Sequence, residues 1–243
     1  MSEIYTVTSG KGGVGKSTFS AGLSCAFAAA GKSVLLVDMD AGLRCLDLML
    51  GVSARLVFDI SDVLLGKPLE DAVCAVEGFK KLDLLAAPAD EGMIDTFSFT
   101  SFAAEVAGLY DIVIFDFPAG VDFKLCAAMP SGTTHLVVVT PDVVCIRDAA
   151  GICERICAFS DNVRMVLNRF DIRLIKSGIY KNIDDTIDRT GIQLIGIIPY
   201  AQELMVAAAK GKPLKRGRAA RAFSRISKRL QGENVRLPKP KKI

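Results

Sequence analysis

The feature that most constrains this chain is a glycine-rich loop near its start, between an apolar run that begins at Ile4 and a helical pattern that begins at Phe19. Residues 10–17 read Gly-Lys-Gly-Gly-Val-Gly-Lys-Ser and match the pattern G-x-x-x-x-G-K-[ST]. Glycines allow consecutive backbone N–H groups to turn towards a phosphate, and the next helix adds the positive end of its dipole. We therefore predict a strand, a phosphate loop and a helix. The predicted nucleotide-binding residues here are Gly10, Lys11, Gly12, Gly13, Val14, Gly15, Lys16, Ser17 and Thr18.

The same glycines also satisfy the dinucleotide fingerprint G-x-G-x-x-G, and Asp38 lies roughly where a ribose-binding carboxylate would be expected. The Lys-Ser pair after the last glycine favours a nucleoside triphosphatase, because a terminal phosphate in transfer needs a lysine there and a dinucleotide does not. We expect Lys16 to contact the β and γ phosphates of the nucleotide. The Ser17 hydroxyl is expected to bind Mg²⁺, which prefers hard oxygen ligands.

The stretch Lys11–Thr18 resembles the deviant phosphate loop of the MinD/ParA family of ATPases, and the extra lysine, Lys11, is the mark of that family. The resemblance implies that Lys11 crosses to the partner's nucleotide in a homodimer that forms around ATP. Residues 42–48 and 57–64 resemble the MinD branch, the septum-placement ATPases, and the match extends over most of residues 2–233.

Three positions depart from the family pattern. Cys45 stands where the family commonly has asparagine, Phe117 where it has a small or hydroxyl residue, and Ala150-Gly151 where it usually has Asp-Arg. These departures bear on partner contacts more than on the phosphate loop.

Apolar runs alternate with segments long enough for crossover helices, which predicts a single α/β domain with a mainly parallel, twisted sheet and helices on both faces. Ligands of such sheets bind beyond the carboxyl ends of the strands, where the phosphate loop, Asp38, Asp116 and Asn168 all fall. The runs are residues 34–37, 82–86, 112–115, 136–140, 165–167 and 194–198.

Acidic residues follow two of the predicted strands. Asp38 and Asp40 stand two residues apart, so in an extended chain both carboxylates would lie on one side. Asp116 ends an apolar strand, where a buried charge is costly unless a cation or hydrogen bonds compensate it. We predict Asp38, Asp116 and Ser17 as the Mg²⁺ ligands.

The family resemblance implies further roles. It places Asp40 beside the γ phosphate, where it positions the attacking water, and makes Lys11, Lys16 and Asp40 the catalytic residues. It places Asn168 and Pro199 beside the adenine, although Asn168 taken alone would more often be a turn residue. Pro118-Ala119-Gly120 resembles the second switch of the family.

Composition excludes several classes of protein. Apolar residues make up 51% of the chain but occur in short runs, well below the about 18 residues of a membrane-spanning helix. The start of the chain has no secretory signal, so we expect a cytoplasmic protein, with a peripheral position on the inner face of the cell membrane left open. The seven cysteines form no C-x-x-C pair and are expected to be reduced. A single histidine, His135, argues against a histidine-dependent hydrolase.

Charge divides the chain in two. Residues 1–209 hold 17 Lys+Arg and 26 Asp+Glu, a net −9, whereas residues 210–243 hold 13 and 1, a net +12. Such asymmetry indicates a polyanionic partner. We place the ATPase domain at residues 1–231 and a short, basic, flexible tail at residues 232–243.

The segment from Leu214 to Leu230 carries Phe223, Ile226 and Leu230 at helical spacing, and we expect this stripe to pack on the domain with its basic residues solvated. Pro238 and Pro240 prevent a continuous helix beyond it. The basic residues left in the tail are Arg236, Lys239, Lys241 and Lys242. They predict weak, salt-sensitive, ATP-promoted binding to an anionic membrane, with DNA as a less favoured partner.

These expectations combine into one function: an ATP-binding, slowly ATP-hydrolysing dimerisation switch that positions the cell-division site and is stimulated by a protein partner. Flagellar placement and chromosome or plasmid partition are the alternatives within the family. An ATP-binding regulatory module that does not hydrolyse ATP is the alternative of another class, and Asp40 argues against it.

Overall fold

Strands and helices alternate along the chain in the computed structural model, which describes residues 2–41, 43–88, 94–120, 122–178, 180 and 182–238. Gly42 of the first MinD-like stretch lies outside the described residues, as do Lys239, Pro240, Lys241 and Lys242 of the predicted tail.

Eight strands form one sheet in the order β3-β4-β2-β5-β1-β6-β7-β8. They are β1 Glu3–Thr8, β2 Val34–Asp38, β3 Cys74–Ala75, β4 Leu82–Leu85, β5 Ile112–Asp116, β6 Thr134–Val139, β7 Val163–Phe170 and β8 Leu194–Pro199. All neighbouring pairs are parallel except β3 and β4. The predicted α/β fold with a mainly parallel sheet is confirmed, and the short antiparallel edge strand β3 was not predicted.

The described helices are α1 Lys16–Ala29, α2 Cys45–Leu50, α3 Ile60–Leu64, α4 Leu69–Ala72, α5 Thr96–Val106, α6 Phe123–Ala127, α7 Val143–Cys157, α8 Ile172–Lys176, α9 Ile183–Thr190, α10 Gln202–Ala209 and α11 Arg218–Leu230, with a 3-10 turn at Ser53–Arg55. No helix in the described part of the chain is both long and apolar enough to span a bilayer.

Helices cover the sheet on both faces. Every residue of β2 and β5 is buried, and since successive side chains of a strand point to opposite faces, neither face of these strands meets solvent. One group of helices contains α1, α2, α10 and α11, and another contains α5, α6 and α7, each in contact with the next. A strand such as β2, apolar up to its final Asp38, is therefore suited to the middle of the sheet.

The last helix packs on the first. Phe223 of α11 lies with its ring centre 6.0 Å from that of Phe19 in α1, and a Cβ added to Gly22 would clash with the Phe223 ring. Ile226 meets Gly196 of β8 in the same way. The predicted stripe is confirmed: Phe223 and Ile226 are buried. Leu230 is half-buried.

The described residues that follow α11 stay in contact with it. The Glu233 amide donates to the Lys228 carbonyl at 3.0 Å, and the Arg229 guanidinium donates to the Val235 carbonyl at 3.2 Å. The domain boundary at residues 231 and 232, and the flexibility of the tail, stay predictions.

Candidate functional site

The phosphate loop connects β1 to α1 and is held by close backbone contacts. Gly13 and Gly15 have φ angles of 78° and 90°, in the left-handed region that favours glycine. A Cβ on Gly10 would lie 2.8 Å from the Cβ of Asp148 in α7, and one on Gly15 would lie 2.5 Å from Asn168 Nδ2. The loop therefore runs in a narrow space between α7 and the end of β7.

The N-terminus of α1 is open to an anion. Gly15 occupies the N-cap position and supplies no side-chain cap to the N–H groups of the first turn. The first N–H groups of a helix have no partner within the helix, and together with the helix dipole they favour a bound phosphate. Gly12, Gly13 and Lys11 of the loop are exposed, so the loop is accessible.

Two buried carboxylates face the loop from adjacent strands. Asp38 ends β2 and Asp116 ends β5, and the two residues are paired in the sheet register. Asp38 is 2% exposed and Asp116 is 0% exposed. Lys16, at the start of α1, is 7% exposed, and its Nζ lies 3.8 Å from Asp40 Oδ2.

The strand β2 ends at Asp38, so Asp38 and Asp40 do not lie in one extended strand, which was the condition for the predicted shared side. The Asp40 amide donates back to Asp38 Oδ1 at 3.0 Å. Asp38 is buried, whereas Asp40 is half-buried beside Lys16.

Asp116 has an unsatisfied oxygen. Its Oδ1 accepts a 2.8 Å hydrogen bond from the Ser20 hydroxyl, but its Oδ2 is buried and has no hydrogen-bond partner among the residues that the structure describes. Burial raises the pKa of Asp116, and the Lys16 charge and the Ser17 and Ser20 hydroxyls offset only part of that rise. An orphaned carboxylate oxygen is a costly feature that a bound cation would relieve.

Asp38 is affected in the same direction. Burial, followed by the negative charge of Asp116, raises the pKa of Asp38 to about 7. Two buried acids with raised pKa values, side by side at the carboxyl ends of adjacent strands, are a donor set that suits a hard divalent cation. The residues present therefore fit Mg²⁺.

A cleft lies beside Gly15, on the side of the loop away from the carboxylates. It has a volume of about 330 Å³. The Asn168 side chain forms part of its wall, where Nδ2 donates to the Val14 carbonyl at 2.8 Å and Oδ1 accepts from the Arg169 amide at 2.9 Å. The lining residues are Gly15, Thr18, Asn168, Arg169, Pro199, Tyr200, Ala201, Leu204, Met205 and Ala208. The structure thus brings Asn168 and Pro199 to the same cleft, and their position beside an adenine stays a prediction.

The loop after β5 reaches the phosphate loop directly. The Gly120 amide donates to the Ser9 carbonyl at 3.2 Å, and Gly120 has a φ of 90°. Phe117, one of the departures from the family pattern, is buried with its ring centre 6.3 Å from that of Phe99 in α5. Pro118-Ala119-Gly120 is therefore placed where it can respond to what the phosphate loop holds.

Sequence reasoning missed several residues of the site. Ser20 lies one turn after Lys16, a spacing that could have pointed to it. Asp148, which confines Gly10, and Tyr200, which lines the cleft, carried no local signal.

Other chemistry is not supported in the part of the chain that the structure describes. No three His, Cys, Asp or Glu side chains there form a metal-binding group, and the seven cysteines are unpaired. His135 Nδ1 lies 2.8 Å from the Thr6 hydroxyl, and burial lowers the pKa of His135 to about 4. His135 is a buried neutral side chain away from the loop.

Comparison with known proteins agrees with this geometry. The family model for the CobQ/CobB/MinD/ParA nucleotide binding domain matches residues 5–214. The septum site-determining protein MinD of Thermotoga maritima is 33% identical over 246 residues, which cover 98% of this chain and 91% of that protein.

Solved structures give the same result. The MinC:MinD cell division protein complex of Aquifex aeolicus contains a chain with a TM-score of 0.89 and 34% identity, covering 98% of this chain and 99% of that one. The septum site-determining protein MinD of Pyrococcus horikoshii, complexed with Mg-ADP, has a TM-score of 0.82 and 27% identity, covering 95% and 96%. Since the family model and these relatives each match most of its length, the chain belongs to the MinD/ParA family of nucleotide-binding domains, and the predicted resemblance to the MinD branch is confirmed.

Proposed function

We propose that this chain is a MinD-like ATPase, in which ATP drives formation of a homodimer and hydrolysis reverses it, and that it positions the cell-division site. The observation that carries the proposal is the convergence of a buried lysine, an orphaned carboxylate oxygen and an uncapped helix N-terminus on one loop. Each of these three features costs free energy in the chain without nucleotide. Bound Mg·ATP would compensate all three, because its phosphates and its cation supply the missing opposite charges.

The nucleotide has a place for each of its parts. The phosphates bind across residues 10–18, with Lys16 on the β and γ phosphates. The adenine lies in the cleft beside Gly15, between Asn168 and Pro199. Asn168 already donates one amide hydrogen to Val14, which leaves its second amide hydrogen for the base.

Ser17, Asp38 and Asp116 would hold Mg²⁺. The bound ion would supply positive charge next to the phosphates and offset the two buried carboxylates. The hydroxyl of Ser20 fixes Asp116 through Oδ1, so that Oδ2 stays available.

Asp40 is the proposed water-positioning residue. Its carboxylate accepts from the water whose oxygen attacks the γ phosphorus, the bond to the β-phosphate oxygen breaks, and the proton leaves with the phosphate product. Lys16, 3.8 Å away, holds this carboxylate towards the phosphate loop. Because such sites act by positioning and electrostatics, turnover is slow until a partner completes the arrangement.

The exposed side chain of Lys11 is the proposed link between subunits. It projects from the loop into solvent, where it can reach a nucleotide bound by the second copy. An effector protein is proposed as well, in line with the relative that was solved as a MinC:MinD complex. The basic tail is proposed to add weak binding to an anionic membrane at the inner face of the cell membrane, and DNA is the less favoured polyanion.

Division-site placement is preferred over flagellar placement and over chromosome or plasmid partition because the relatives with the higher identities carry septum-site or cell-division names. The test is turnover: the purified chain should release phosphate from ATP in the presence of Mg²⁺, slowly alone and faster with a MinC-like partner from the same organism. ATP binding without any phosphate release, alone or with a partner, would instead support a non-hydrolysing regulatory module.

A further inference from the structure

A second concave region lies at the opposite end of α1 from the phosphate loop. It is a cavity of about 970 Å³, called here the basic cavity, between the end of α1, the turn from β3 to β4 and the start of α11. Its lining on α1 begins at Gly22, which at about 1.5 Å per residue lies about 9 Å along the helix from Lys16. Nothing proposed above for ATP uses this cavity.

The rim of the basic cavity is entirely cationic among the residues described. Six basic side chains line it and no acidic one does. They are Lys80, Lys81, Lys215, Arg216, Arg221 and Lys228. Like charges on a concave wall raise the local positive potential and attract an anion.

Half of these cations are uncompensated. Lys80, Arg216 and Arg221 are exposed, and their side chains form no hydrogen bond or ion pair with any residue that the structure describes. Lys228 has a partner, Glu233, but the pair is exposed and 3.8 Å apart, so solvent weakens it. The fold therefore holds three free charges together at one rim.

The carbonyl end of α1, which would repel an anion, is covered. Lys81 Nζ donates to the Gly31 carbonyl at 3.1 Å, directly after the helix. Lys215 Nζ lies 5.3 Å from the centre of the Phe79 ring, and a Cβ on Gly78 would clash with this ammonium group. Both lysines are thus held in place at the turn before any ligand arrives.

The floor of the basic cavity is apolar and made of small residues. It leaves room for an uncharged part of a ligand next to the cationic rim. The floor residues are Gly22, Cys25, Ala26, Ala28, Ala29 and Ala30. A duplex nucleic acid presents a convex backbone, which would meet the rim but not this floor.

We propose that the basic cavity binds a phosphate-bearing ligand whose phosphate lies at the rim and whose small uncharged part lies on the alanine floor. Two sources carry this chemistry: the headgroup region of an anionic phospholipid, and a free phosphorylated metabolite. The site is independent of ATP binding at the phosphate loop.

Calorimetric titration of the full chain tests the proposal with two probes that share a headgroup. One is monomeric dihexanoyl phosphatidylglycerol, and the other is glycerol 3-phosphate. We expect at least one probe to bind, and the double variant Arg216→Glu/Arg221→Glu to bind it at least about tenfold more weakly, as loss of charged contacts predicts.

The matched control is Arg225→Glu/Lys176→Glu, which changes the net charge equally. Arg225 lies on α11, as Arg221 does, but outside the basic cavity, and Lys176 lies on α8. Both control residues are exposed. Should the cavity double variant not fold, the single variant Lys80→Glu on the turn takes its place.

Each outcome decides the question. Loss of phosphatidylglycerol binding in the cavity variant alone supports a lipid source, and loss of glycerol 3-phosphate binding supports a soluble one. Binding that is equal in the cavity and control variants would be binding at the phosphate loop or elsewhere and would overturn the proposal. Absence of binding by both probes would also overturn it, and so would binding of a duplex DNA in place of either probe.

Discussion

The side-chain amide of Asn168 donates a 2.8 Å hydrogen bond to the backbone carbonyl of Val14, across 154 residues of sequence. This bond ties the carboxyl end of β7 to the phosphate loop. The chain stays close here because Gly15 has no side chain, since a Cβ would lie 2.5 Å from Asn168 Nδ2. The shape of the loop thus depends in part on a side chain at the end of β7.

The first prediction concerns this bond. Asn168→Ala should weaken binding of a fluorescent ATP analogue by about tenfold, because a buried carbonyl loses its donor at a cost of about 1–3 kcal/mol. Asn162→Ala, an exposed asparagine just before the same strand, is the control and should bind as wild type does. Equal affinities in the two variants would show that the bond does not shape the loop.

The second prediction concerns Lys16. Lys16→Ala should abolish ATP binding and phosphate release, because the buried ammonium group is the cation at the start of α1 that the terminal phosphates would contact. Lys32→Ala, just beyond the other end of that helix, should leave both unchanged. Normal turnover by the Lys16 variant would remove the assignment of the phosphate loop.

The third prediction is the ATP-dependent homodimer. Light scattering should give a dimer mass with ATP and a monomer mass with ADP, and Asp40→Ala should remain dimeric because it cannot position the water. Lys11→Ala should bind ATP but stay monomeric, since its side chain is exposed and acts across the interface. The prediction of an ATP-dependent dimer fails if the mass measured with ATP equals the mass measured with ADP, both for wild type and for Asp40→Ala.

The fourth prediction follows from the raised pKa of Asp38, about 7 against about 3.9 in an unfolded chain. Between those values the folded state holds the proton more tightly, so the free energy of unfolding should fall as the pH rises, and the loss is complete above about pH 7. The measurement is urea unfolding of wild type and Asp38→Asn without Mg²⁺, from about pH 5 to pH 8. Any advantage of wild type in the free energy of unfolding should shrink or reverse as the pH rises.

His135 makes the free energy of unfolding rise with pH, because burial lowers its pKa to about 4. This contribution is present in both wild type and Asp38→Asn, so it cancels from the difference between them. Affinity for Mg²⁺ should rise over the same pH interval in wild type, as Asp38 ionises, and should be weak throughout in Asp38→Asn. A pH-independent difference between the two chains would contradict the pKa of Asp38.

The fifth prediction concerns the tail. Binding to anionic vesicles should increase with ATP and decrease with salt, because four basic residues at about 1 kcal/mol each give marginal binding singly and firmer binding as a pair of tails. Replacing Arg236, Lys239, Lys241 and Lys242 by alanine should lower the sedimented fraction. Tight binding that persists at high salt would instead reveal a hydrophobic anchor, and preferential capture by duplex DNA would favour the other polyanion.

The sequence predicted the phosphate loop and the strand-end acids well, for a physical reason. In a parallel sheet the carboxyl ends of all strands meet at one edge, so an acid that follows an apolar run can be placed without knowing the strand order. Asp38 and Asp116 needed only this rule. Asp38 and Asp116 lie side by side because β2 and β5 are neighbours in the sheet, and the order of the strands could not be predicted from the sequence.

The remaining features depend on contacts between distant segments. The β3 strand has two residues and therefore shows no period. The partner of Asn168 is a backbone carbonyl, which every residue possesses, so no residue type points to it. The basic residues of α11 were expected to be solvated, and most are exposed, but the cavity they border exists only because the turn at Gly78 and the end of α1 meet them.

The packing of Phe223 onto Gly22 has a consequence for the order of folding. During synthesis α1 leaves the ribosome well before α11, yet part of the cover of α1 is missing until Phe223 arrives. Chains fold from the N-terminus as they emerge, but here the helix that starts at the phosphate loop keeps part of its apolar face open until α11 has been made. Nascent chains arrested before residue 218 should therefore be sensitive to proteases along α1, and synthesis of α11 should protect it.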